Sequence, residues 1–150
     1  MSHVVQNVEE TQTLAREFAT RVLALPVKSH ALVIGLEGEL GAGKTTFIQA
    51  LAESLGIKES ITSPTFVILK TYEIPEGPYQ FFTHIDTYRL RNAKELTALG
   101  FEAITKDAKT IVFLEWPDRV SELLPKDRIT IHIDHLDANQ RIITITGLDA

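Results

Sequence analysis

The sequence contains no cysteine. That excludes disulfides, thiolate metal sites and a cysteine nucleophile, and it agrees with a reducing compartment. Long apolar runs are missing as well: the longest, such as Ala31 to Leu36, are strand-sized and far short of a membrane span. The opening residues Met1 to Asn7 carry no basic stretch leading into an apolar one, so they do not read as a signal peptide. A cytoplasmic protein is the expectation. Positive charge is in deficit too. A formal net charge of -5 is the wrong sign for a chain that grips a nucleic-acid backbone by its own field. What is present is ordinary for a globular protein, 44% hydrophobic and 23% charged residues. A chain of 150 residues removes roughly 70% of its unfolded surface from water, so residues 1–150 are expected to form a single domain around one core.

Hydrophobic spacing then divides the chain. Asn7 to Leu25 opens on Asn-x-x-Glu and continues with Leu14, Phe18, Val22 and Leu25, the stripe of an amphipathic helix, with Thr11 as a second possible cap. Ala31 to Leu36 has no alternation and reads as a strand buried on both faces. A glycine-rich loop follows, then a helix marked by Phe47, Ile48, Leu51, Ala52 and Leu55 that stops at Gly56. Val67 to Ile74 and Tyr79 to Ile85 read as strands of a hairpin turning at Pro75-Glu76-Gly77-Pro78. Glu95 to Ile104 reads as helical, broken near Gly100, and Thr110 to Leu114 as another buried strand. In the tail, Ile129 to Ile133 and Arg141 to Thr146 alternate as strands, joined by the polar segment Asp134 to Gln140. The order implies an α/β domain: a mostly parallel central sheet with antiparallel edge strands, flanked by helices.

Within that order one motif carries chemistry. Gly38-x-x-x-x-Gly43-Lys44-Thr45 is a full Walker A pattern, which arises by chance in about 1 in 200 chains of this length. It also leaves a buried strand and enters a helix, the context its mechanism requires. The glycines Gly38, Gly41 and Gly43, with Ala42 between, let successive N–H groups turn inward around phosphate oxygens. The helix that follows directs its own N–H groups at the same anion. Lys44 adds charge for the outer phosphates, Thr45 can place its hydroxyl on Mg²⁺, and Thr46 adds a further donor. Glu39 would repel phosphate and is expected to face solvent. A glycine turn with an exposed lysine is the plain alternative.

A P-loop hydrolase needs an acid at the end of a neighbouring strand to hold the metal or its waters. Two compete: Asp86 after Phe81 to Ile85, and Glu115 after Ile111 to Leu114. Either alone can be a helix cap. Ser63-Pro64-Thr65-Phe66, between the loop helix and the next strand, lies where hydrolases keep a segment that senses the terminal phosphate, although by composition it is a turn.

Taken in order, Gly38-Glu-Leu-Gly-Ala-Gly-Lys-Thr-Thr46, Ser63-Pro-Thr-Phe66, His84-Ile-Asp-Thr-Tyr-Arg-Leu90 and Leu114-Glu-Trp-Pro117 resemble the TsaE family. The resemblance implies an ATPase required for threonylcarbamoyladenosine in tRNA. It works with two partners, TsaB and TsaD, which hold the tRNA while ATP hydrolysis permits repeated turnover. By matching position it implies Lys44 on phosphate, Thr45 and Glu115 on Mg²⁺, Asp86 as the Walker B-like acid and Thr65 as a switch residue. Thr11 would contact the nucleotide near the adenine, and Trp116 would shape the site or a partner surface. The acidic charge suits a subunit that reaches tRNA through partners.

The expected chemistry is attack of water on the terminal phosphate of ATP, slow in the isolated chain because no arginine finger can be assigned. A small-molecule kinase is the first alternative, but such enzymes use an arginine-rich lid and this chain offers Arg89 and Arg91 beside Tyr88. A GTPase is disfavoured by the absence of an Asn-Lys-x-Asp motif. A nucleotide-gated docking module with incidental hydrolysis is the alternative of another class. Of the histidines, His84 is expected to orient its neighbours near Asp86, and His3, His30, His132 and His135 to sit at the surface or on strand edges.

Overall fold

The computed structural model describes residues 1–38, 43–61, 69–87 and 90–148, without the side chains of residues 117 and 119. The strands β1 (Ser2–Val5), β2 (Leu32–Gly38), β3 (Leu69–Glu73), β4 (Phe81–Asp86), β5 (Thr110–Glu115), β6 (Ile129–His135) and β7 (Arg141–Thr146) form one 7-stranded sheet. Their order across it is β1-β7-β6-β2-β5-β4-β3. The strands β6, β2, β5 and β4 run parallel to one another. The outer pairs β1/β7, β7/β6 and β3/β4 are antiparallel. The expected parallel centre with antiparallel edges is therefore present, and β6 belongs to the parallel centre. Short β1 is an addition that four residues could not announce by alternation.

Among the described residues four helices flank the sheet: α1 (Val8–Ala24), α2 (Lys44–Ser54), α3 (Ala93–Ala98) and α4 (Phe101–Thr105), while Pro117–Leu123 forms a 3₁₀ segment. Asn7, rather than Thr11, caps α1: its side chain accepts the Glu10 N–H at 2.8 Å, and Glu10 Oε2 accepts the Gln6 N–H at 3.3 Å. The same device starts α3, with Asn92 accepting from the Glu95 N–H and Glu95 accepting from the Arg91 N–H. Gly56 and Gly100, both at φ 87°, end α2 and separate α3 from α4.

Two apolar layers enclose the sheet. On one face α1 and α2 pack Leu14, Phe18, Val22, Phe47 and Leu51 against β-strand residues such as Ile34, Leu36, Phe82 and Phe113. On the other, Val33, Ile85, Val112 and Leu114 meet Leu96 and Phe101 of α3 and α4. Val33 belongs to one layer while Ile34 and Leu36 belong to the other, which explains the unbroken apolar run of β2. Among the described residues no helix is long and apolar enough to cross a membrane.

Candidate functional site

The parallel strands deliver their C-terminal ends to one rim of the sheet. In register, Asp86 of β4 lies opposite Glu115 of β5, and Leu36 of β2 lies opposite Glu115 from the other side. Side chains alternate along a strand, so Phe82, His84 and Asp86 share a face with Ile111, Phe113 and Glu115. Phe82, Ile111 and Phe113 sit in the layer under α1 and α2, so both acids lie on the face that α2 covers. The two strand-end acids are thus side by side beneath the start of α2.

Gly38 closes β2 at φ 149°, and a Cβ there would meet the carbonyl oxygen of Ile133 at 2.4 Å. Only glycine lets β2 lie this close to β6 as the chain enters the loop. Gly43 resumes the described chain at φ 100° as the N-cap of α2, and it offers no side chain to the first-turn N–H groups. These N–H groups and the positive end of the helix dipole are a ready anion site. Thr45 is exposed on that first turn and Thr46 is half-buried.

Lys44 is only 7% exposed, and its Nζ has no hydrogen-bond partner among the described residues. It rests 3.8 Å from the centroid of the Trp116 ring. Burial holds its pKa below the usual lysine value, while the charges of Glu115 and then Asp86 oppose that shift. A buried ammonium that gains, among the described residues, a ring face and two nearby carboxylates is short of hydrogen bonds there, a costly state that an incoming anion relieves. The donor set therefore fits a phosphate group.

Glu115 is also buried, at 8% exposure. Its Oε2 accepts a hydrogen bond from His84 Nε2 at 2.8 Å, so the neighbour that His84 orients beside Asp86 is Glu115. Thr87, fully buried, directs its hydroxyl at the carbonyls of Glu115 and Trp116, both at 2.7 Å. It braces a bend in which Trp116 adopts φ 62°, the left-handed region a tryptophan rarely occupies.

Thr11 lies on the wall of a cleft of about 410 Å³ lined also by Asn7, Gly43, Thr46, Asn139 and Arg141. The cleft joins the start of α1, the start of α2 and the β6–β7 turn. Asn139 and Arg141 were not foreseen, because Asp134 to Gln140 is polar without pattern and Arg141 reads as the first residue of a strand. Glu39, Gly41, Ala42, Thr65 with its Ser63-Pro64-Thr65-Phe66 segment, Tyr88 and Arg89 lie outside the described residues. Arg91 is exposed. No group of His, Asp and Glu forms a ready metal cage among the described residues. A cation here would depend on nucleotide oxygens to complete its shell, as Mg²⁺ does at phosphate sites.

A strand entering a Walker A loop, a helix starting on its lysine and two acids on adjacent parallel strands define a P-loop nucleotide-binding fold. Residues 5–143 match the family model for the threonylcarbamoyl adenosine biosynthesis protein TsaE. The chain belongs to the TsaE family. A curated relative, the tRNA threonylcarbamoyladenosine biosynthesis protein TsaE of Bacillus subtilis, is 37% identical over 142 residues, covering 95% of this chain and 82% of the relative. The protein of the same name from Streptomyces coelicolor is 36% identical over 139 residues, 89% of this chain and 90% of its own length. The crystal structure of Bacillus subtilis YdiB superposes with a TM-score of 0.71 at 32% identity, covering 97% of this chain and 83% of that one.

Proposed function

We propose that residues 1–150 act in the cytoplasm as one Mg²⁺-dependent ATPase domain that serves tRNA threonylcarbamoyladenosine formation with TsaB- and TsaD-like partners. The observation that carries the hydrolase reading is Lys44: a buried ammonium at the start of α2 with no hydrogen bond among the described residues, within the electrostatic reach of two strand-end carboxylates. The pathway follows from the family and from the relatives' names.

In this reading the adenosine end of ATP occupies the cleft beside Thr11 and Asn139, and the phosphates run across Gly43 to Lys44. Gly38, Gly41, Ala42, Gly43 and Thr46 contribute the loop and its donors, and Thr65 senses the terminal phosphate. Lys44 and the first-turn N–H groups of α2 stabilise charge spreading over the phosphoryl oxygens as water attacks in line. Thr45 with Glu115 or Asp86 would hold Mg²⁺, which when bound neutralises phosphate charge. The acid not on the metal orders the attacking water. Trp116 keeps Lys44 near the sheet rim through its ring face.

No arginine finger can be assigned, so the free chain should turn ATP over slowly and accelerate when the partner complex is added. Steady-state phosphate release with and without the partners measures this; fast turnover by the free chain would count against it. Lys44→Ala should lose at least tenfold in nucleotide affinity or turnover, about 1.4 kcal/mol or more. Unchanged activity in that variant would remove the phosphate-loop assignment.

A further inference from the structure

His84 is a buried titratable group that the mechanism above leaves without a task. Its residue exposure is 2%, and its ring lies on the α2 face one layer below the strand-end acids. In the β4–β5 register His84 stands opposite Phe113, and Asp86 stands opposite Glu115. The 2.8 Å bond from His84 Nε2 to Glu115 Oε2 is therefore a diagonal contact, from one strand to the next rung of its neighbour. Phe113 meets the imidazole edge-on at 6.5 Å between centroids and stacks on Phe82 at 5.8 Å, so aromatic packing confines the ring.

The second ring nitrogen decides between packing and purpose. Nδ1 is buried and has no partner among the described residues. An ionised carboxylate only accepts, so the ring's proton toward Glu115 is on Nε2, and Nδ1 is left without a hydrogen bond among the described residues. A leucine at this position would fill the core without an unsatisfied nitrogen. The fold keeps a group that costs stability, and its one hydrogen bond goes to the carboxylate placed beside Lys44.

We propose that His84 is the positioning residue for Glu115: it fixes Oε2 and the carboxylate plane, leaving Oε1 as the oxygen available to a cation at the phosphate site. This rests on the ATPase reading above. Outer donors of this kind commonly set the orientation and basicity of a carboxylate or imidazole that meets a metal, and losing one costs about 10–100-fold in metal affinity.

The test is calorimetric titration of ADP into the full chain, once with Mg²⁺ and once with EDTA, on wild type and variants. His84→Leu removes the donor. It should leave ADP affinity in EDTA within about twofold of wild type while shrinking the tightening given by Mg²⁺ about tenfold. His84→Gln, whose amide nitrogen falls near the position of Nε2, should restore most of that tightening. His84→Asn, a bond too short to reach Oε2, should not. In a Glu115→Gln background His84→Leu should add no further loss, because it acts through the missing carboxylate. Urea unfolding of each variant accompanies the titrations, and where His84→Leu does not fold, the Asn/Gln pair decides. Wild-type Mg²⁺ dependence in His84→Leu, an equal loss in EDTA, a Gln variant no better than Asn, or additive losses with Glu115→Gln would each overturn the proposal and leave the ATPase reading standing. A wild-type chain that binds no ADP in either condition would overturn both.

Discussion

At the scale of single residues, the two described glycines of the phosphate loop do different jobs, although the motif presents them as equivalents. Gly38 is required by space as well as by backbone angle, since an added Cβ would strike the Ile133 carbonyl of β6. Gly43 meets nothing within 4 Å of its Cβ position among the described residues, and its requirement there is its φ of 100°. Gly38→Ala should therefore cost about 3 kcal/mol or more, a backbone penalty plus overpacking against a main chain that cannot yield. Gly43→Ala should cost about 1–2 kcal/mol, the penalty of a left-handed residue. Urea midpoints at a common slope compare the two, and equal losses would refute the steric account. The motif itself was legible because each fixed position answers one chemical demand. Its support was not: nothing in His84-Ile85-Asp86-Thr87 says that His84 reaches diagonally to Glu115 or that Thr87 braces the bend at Trp116. Those partners are set by the β4–β5 register, which sequence spacing does not encode.

Between elements, the joint of β2 with β6 matters most, because β2 runs directly into the phosphate loop. His132 on β6 stands opposite Glu37 on β2 and bridges two acids, Glu37 at 3.3 Å and Asp134 at 2.9 Å. Burial alone would lower the His132 pKa, but the hydrogen bonds and charges of Glu37 and Asp134 outweigh it and hold the value above 6.5. A histidine whose folded pKa is raised contributes stability that is complete below the unfolded value, 6.5, and is lost as pH rises through the folded value. His132→Gln should therefore destabilise the chain near pH 5.5 and have no effect well above the raised pKa. The side chain is 42% exposed, so solvent screening keeps the cost below about 1 kcal/mol. Urea midpoints for wild type and variant across that range check it, and a gap that widens with pH would reverse the assignment. The elements themselves were legible wherever burial imposes a period: the β2 run, the α1 stripe and the alternation of β6 and β7 lie near their expected bounds. Short β1 was missed because its place depends on pairing with distant β7. The 3₁₀ segment after Trp116 was missed because its form follows from a bend held by Thr87.

For the molecule as a whole, the sheet concentrates its chemistry on one rim while its charge remains negative overall. The rim gathers Lys44, Glu115, Asp86 and the cleft walled by Thr11 and Arg141, so a phosphate group bound there would rest on a few local donors in a chain of net charge -5. A net negative charge tolerates a small anion, which would meet only the rim and its cleft. It opposes a long polyanion, which meets the whole surface. A protein belonging to a tRNA-modification family is then expected to have little affinity for tRNA by itself. In filter-binding or mobility-shift titrations at about 0.1 M salt, where the Debye length is about 10 Å, the isolated chain should retain no tRNA at micromolar concentration. Addition of the partner complex should bring both into one species. Tight, salt-sensitive binding of tRNA by the free chain would mean that a local basic surface overrides the net charge, and would overturn this expectation.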